Sequence, residues 1–158
     1  LRRRQRQMCK ETDNTQYGFD LKFGSHLLYG NEDILRKISC KKIYKREIER
    51  LLFTRIWCFL GSLNKGFFNN ELDLKDKFLL LNQLSKALLA LEESILILYN
   101  DYHVSYLEKV KRVAKYCPNQ KLLNYFKWAT SFKLNPQFPH NISYFLIKDN
   151  ILKSKKYL

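Results

Sequence analysis

"KFLLLNQLSKALLALEESILILYN", residues 77–100, is the most apolar part of the chain and is long enough to cross a bilayer. Leu81, Leu84, Leu88, Leu91, Ile95 and Leu98 recur at alternating spacings of three and four. That is an a/d seam over about three heptads. Asn82, Gln83, Ser85, Lys86, Glu92 and Glu93 read as a narrow polar stripe elsewhere on the cylinder. Lys86 and the Glu92–Glu93 pair lie well inside the stretch, and a charge at the bilayer centre costs roughly 2.5–3.5 kcal/mol. No uninterrupted apolar run approaches the ~20 residues that a span needs. The stretch therefore reads as a soluble helix at the centre of a bundle, spanning about 74–100, apolar on most sides.

The flanks complete the bundle. Asp73 can cap this helix, with Asp76 as a capping-box-like partner, and "NDYH" (100–103) kinks or ends it. Leu107, Val110, Val113, Ala114 and Cys117 then make one apolar face, with Lys111, Arg112 and Lys115 opposite and Lys109 at the flank; Pro118 stops the pattern. "QKLLNYFKWATSF" (120–132) reads as a further helix with Leu122, Leu123, Phe126, Trp128 and Ala129 as its apolar side, broken by "NPQFP" (135–139). Upstream, Asn31 is a candidate cap for a helical stretch that runs to Leu60 and stops at Gly61 in a C′-like position. Ile34, Ile38, Ile48, Leu52, Ile56 and Phe59 share a face there, but Lys41 and Lys45 fall on the same face, which favours a break near "SCKK" (39–42). "GSLNKGFFNNELD" (61–73) reads as a loop, residues 17–30 as an irregular segment with room for a short strand, and residues 142–152 as a short helix or strand. The expected architecture is all-α: four to five helices around residues 74–100. A basic, aromatic arm (1–30) precedes a bundle (31–134), and a C-terminal segment with a basic tail (135–158) follows it.

Composition narrows the function. One domain's worth of residues, 158, carries 29 Lys/Arg against 15 Asp/Glu, a formal net charge of +14. Such an excess attracts polyanions: nucleic acid, an anionic membrane or an acidic partner. A lysine-rich compositional background is the competing explanation. The excess sits at the ends: by count, residues 61–100 hold 4 Lys/Arg and 5 acids, while residues 101–158 hold 11 and 3. The chain lacks an initiator Met, which suggests processing or a fragment, and it shows no secretory h-region.

Catalytic signatures are missing. There is no phosphate-binding glycine loop, no GxSxG and no HExxH. His26, His103 and His140 are far apart in sequence, and His103 at a helix junction fits a hydrogen-bonded structural role better than catalysis. Glu92 and Glu93 are adjacent, so on a helix they point in different directions. The expectation is a non-enzymatic protein with no cofactor and no metal.

Cys9, Cys40, Cys58 and Cys117 form no CxxC and no zinc knuckle. An even number at wide spacing fits two disulfides in a secreted helical protein; Cys58 and Cys117 fit buried free thiols equally well. "NIS" (141–143) is a single glycosylation sequon.

Three basic clusters remain as candidate nucleic-acid contacts. They are the arm Arg2, Arg3, Arg4 and Arg6; the group Lys41, Lys42, Lys45 and Arg46, covering one side of a helix; and the face Lys111, Arg112 and Lys115. Arg suits bidentate phosphate contact and Lys supplies point charge. Tyr17, Phe19 and Phe23 are candidates to stack on unpaired bases. No RRM, KH, zinc-finger or homeodomain signature appears, so base-specific readout has no support. The leading expectation is a structural component of a ribonucleoprotein assembly, such as an organellar ribosome-type subunit. Its partners would be RNA in preference to DNA, together with neighbouring proteins, and its location intracellular or organellar. Two alternatives stand beside it. One is a secreted four-helix cytokine-like ligand with two disulfides and a receptor. The other is a helical protein-interaction module with an exposed patch near Trp57, Phe67, Phe68 and Trp128.

Overall fold

The computed structural model describes residues 14–30, 33–69 and 71–136, with Asp33 and Ile34 described through their backbone alone. Among these residues the protein is all-helical, with no strand. The elements are α1 (Gln16–Gly24), α2 (Asp33–Arg36), α3 (Glu47–Gly61), α4 (Lys65–Asn69), α5 (Leu74–Leu98), α6 (Tyr106–Val113) and α7 (Gln120–Leu134). The arm carrying Arg2, Arg3, Arg4 and Arg6 lies outside the described residues. So do Cys9, Asn31, His140, the sequon, the 142–152 element and the basic tail.

The central helix forms where its sequence places it. Asp73 Oδ1 accepts the Asp76 amide at 2.7 Å, satisfying one of the orphan donors of the first turn. At the other end Asn100 takes a left-handed φ of 55°. The Asp101 amide then reaches Leu96 O at 2.9 Å and the Asn100 amide reaches Ile97 O at 3.1 Å, a Schellman closure. Asn is one of the few residues besides Gly that adopts this conformation at low cost. α5 packs against α3, α6 and α7, and α6 packs against α7.

The main core gathers Ile43, Leu51, Ala90, Leu96, Ile97, Tyr102, Val113, Cys117, Leu123 and Phe126. Burying each large apolar side chain contributes roughly 1.5–3 kcal/mol. A second cluster of Phe67, Leu72 and Leu80 closes the other end, with Phe59 and Leu63 packed against it.

Several expectations change. The expected seam of α5 is only half-buried at Leu84, Leu88, Leu91 and Ile95, and Leu98 is exposed. Of the seam only Leu81 is inaccessible; the other inaccessible positions are Leu80, Leu89, Ala90, Leu96 and Ile97, together with the supposedly polar Ser85, Glu92 and Glu93. Packing on three sides leaves no solvent stripe in the middle of the helix. Ser85 and Ser94 satisfy their hydroxyls inside it, on Asn82 O and Ala90 O.

Residues 16–24 are a helix, not an irregular segment. Thr15 Oγ1 caps it by accepting the Gly18 amide at 3.0 Å. The break expected near residues 39–42 occurs and is wider than a kink, since residues 37–46 are non-helical. Gly61 is the last helical residue and has no positive φ; the turn is closed by Ser62, whose amide and hydroxyl both donate to Phe59 O. On α3 the inaccessible residues are Glu47 and Leu51, while Ile56 is exposed. The 61–73 loop contains α4, whose Phe67 amide donates to Asn64 Oδ1 at 3.0 Å.

Candidate nucleic-acid interface

The fold turns several acids inward. Glu93, on α5, takes two donors: Lys109 Nζ at 2.5 Å and Gln16 Nε2 at 2.8 Å. Tyr102 accepts from Lys109 Nζ at 2.9 Å and from Gln16 Nε2 at 3.0 Å, and its hydroxyl donates to the Asp20 carboxylate. Lys109 is only 1% exposed, although its sequence position reads as the flank of a solvent face. Its ammonium also lies over the rings of Tyr102 and Tyr106. Burial, then the charges of Glu93 and Asp20, push the Tyr102 hydroxyl pKa up. Burial raises the Asp20 carboxyl as well, against the pull of Lys109.

Glu92 is the outlier. It is fully buried, and neither carboxyl oxygen has a hydrogen-bond partner among the described residues. Burial and then the neighbouring Glu93 charge push its pKa up to about 8, so it stays protonated at neutral pH. Glu47, on α3, is buried too and holds Arg50 at 2.6 Å.

An open cavity of about 370 Å³ lies beside this network, lined by Asp20, Gly24, Val104, Ser105, Tyr106 and Lys109. His103 does not activate Ser105 there: its Nδ1 accepts the Ser105 backbone amide at 3.0 Å. That is the hydrogen-bonded junction role its position suggested. No group of His, Cys, Asp and Glu among the described residues is arranged to hold a metal ion.

The surface is where the cations are. Lys41, Lys42, Lys45 and Arg46 do not cover one side of a helix. They lie on the non-helical segment 37–46, and all four are exposed. The segment is nevertheless pinned. Cys40 and Ile43 are buried beneath it, Lys22 Nζ donates to Cys40 O at 3.1 Å, and the Tyr44 amide donates to Asn14 O at 2.9 Å. Cys40 and Ile43 point in while Lys41, Lys42, Tyr44, Lys45 and Arg46 point out. The Arg46 guanidinium lies over the Tyr44 ring, 5.1 Å from its centroid. None of the four cations makes an ion pair among the described residues.

No family model matches the chain, and no curated protein or solved structure matches it.

The α6 cluster is a different case. Lys111 pairs with Glu108 at 2.6 Å, while Arg112 and Lys115 both reach Asp101, at 2.9 and 3.5 Å. Desolvation opposes ionisation of Asp101, but its bond from Tyr116 and the charges of Lys115 and Arg112 together outweigh this and lower its pKa. These cations are therefore partly compensated by Glu108 and Asp101. The sequence also misplaces Phe19, which packs on the core with its ring edge-on to Tyr102 at 5.5 Å; Tyr17 and Phe23 do stay exposed. In the expected apolar patch Phe67 is fully buried and Trp128 is half-buried, whereas Trp57 and Phe68 are exposed.

Cys58 is exposed and Cys117 buried, both as free thiols, so Cys58 is not the core residue expected. No disulfide joins the cysteines among the described residues. No helix among the described residues is long and apolar enough to cross a membrane.

Proposed function

We propose that this protein is a non-enzymatic, nucleic-acid-binding helical module, with RNA favoured over DNA, working as a structural component of a ribonucleoprotein assembly. One observation carries the reading: the fold segregates charge. Glu47, Glu92 and Glu93 are buried inside the bundle against one buried cation, Lys109, while Lys41, Lys42, Lys45 and Arg46 stand outside with no acidic partner among the described residues. The surface is thereby more basic than the composition, and a phosphate chain meets it as a row of cations. The pinned segment 37–46 supports the reading further. Its backbone is fixed by buried Cys40 and Ile43, so little ordering entropy is lost when its lysines meet phosphates.

The test is affinity for a short RNA across a salt series. Charge reversal at Lys41, Lys42 and Lys45 should lower the slope of log K against log salt by roughly 0.7 per contact removed. Reversal at Lys111, Arg112 and Lys115 should lower it less, because Glu108 and Asp101 already compensate that face. Equal slopes for all these proteins would refute the assignment.

A further inference from the structure

Arg50, Phe53, Trp57 and Leu60 recur at alternating spacings of three and four, so they form one stripe along the outer side of α3, and Arg46 at the N-cap extends it by one turn. Every residue of the stripe is exposed; Phe53 keeps 72% of its surface in solvent and Trp57 68%. The two rings lie nearly parallel, 12° apart in plane with centroids 6.1 Å apart. Leaving two large aromatic rings in water forfeits the burial that would otherwise stabilise them, and a contiguous patch of this kind marks an interaction surface. The stripe is chemically graded. Arg46 is the N-cap residue of the helix and Arg50, paired with Glu47, sits on its first turn, and the exposed lysines 41, 42 and 45 lead into it; its second half is aromatic. Arg46 and Trp57 are about 16 Å apart along the helix axis.

We propose that this stripe is a stacking platform for the unpaired bases of a single-stranded nucleic acid, whose phosphates run onto the arginine end and the 37–46 segment. The proposal rests on the nucleic-acid reading and gives it a strand class. A single strand offers what the grading asks for: a polyanionic backbone beside flat apolar faces that stack on aromatic rings whatever the sequence. A duplex hides those faces. A second copy of this chain is the poorer occupant, because it would bring two +14 chains together with Arg46 and Arg50 at the contact.

Full-length protein is titrated against a labelled oligouridine and against an RNA duplex of the same length, with Phe53→Leu and Trp57→Leu alongside the wild type. Leucine keeps the site apolar and removes the ring, and both positions are exposed enough for the fold to survive; circular dichroism checks this. Each substitution should weaken single-strand binding roughly 5- to 100-fold, leave the salt slope unchanged and barely affect the duplex. Trp57→Phe should retain most of the affinity. If the aromatic variants bind like wild type while lysine reversal at 41, 42 and 45 still lowers the slope, the platform is wrong and the nucleic-acid reading survives. If wild type itself binds only at the 10⁻⁴–10⁻⁶ M background of a basic protein, both fail. Self-association by sedimentation that Trp57→Leu abolishes would also overturn the platform, assigning the stripe to a second copy.

Discussion

Lys109 Nζ lies 2.5 Å from Glu93 Oε1, an ion pair between α6 and α5 whose side chains are only 2% and 7% exposed. A buried pair of this kind offers little net stability over an apolar pair, but removing one partner leaves an uncompensated charge in the interior. Lys109→Met should cost roughly 3–5 kcal/mol in urea unfolding. Adding Glu93→Leu should recover a large part of that loss, and the recovery will be incomplete because Tyr102 and Gln16 also lose partners. Additive costs in the double-mutant cycle would show that the two residues are not coupled.

Glu92 makes stability fall as pH rises. Its carboxyl pKa lies near 8 in the folded protein against an ordinary 4.5, so the folded state holds this proton more tightly than the unfolded state does. The contribution is complete below pH 4.5, drains away as pH rises toward 8, and is gone above that. Its size is on the order of a few kcal/mol, and the raised Asp20 carboxyl acts in the same direction. Glu92→Gln cannot ionise and should flatten the unfolding free energy across this window. Parallel wild-type and Glu92→Gln curves would contradict the assignment.

Asp73→Ala should destabilise the protein by about 1 kcal/mol. The loss should localise: the Asp76 amide gives up its bond to Asp73 Oδ1 and should exchange faster with solvent deuterium. Unchanged protection at Asp76 would mean that the cap contributes nothing.

The parts of the fold legible in the sequence are those written locally. α5 follows from an aspartate cap, an apolar run and an asparagine stop, and α7 from a periodic apolar side between Asn119 and Pro136. α1 was not legible, since it has no single apolar face. It is held by Gln16 on Glu93 and Asp20 on Tyr102, contacts across some eighty residues. Lys109 was misread because lysine implies solvent. The overlooked signal is its i,i+4 relation to Val113, which places it on the core side of α6. The basic segment 37–46 was legible as charge but not as shape. Its outward presentation depends on Cys40 and Ile43 being buried beneath it, which no local periodicity records.

The most direct test of the charge-segregation account is the wild-type salt slope for a short RNA. Submicromolar binding near physiological salt, falling log-linearly as salt rises with a slope of several phosphates at roughly 0.7–0.9 each, is the predicted result. Binding no tighter than about 10⁻⁴–10⁻⁶ M would contradict the account: the exposed lysines and arginines would then be a solvated surface, and the nucleic-acid function would be withdrawn.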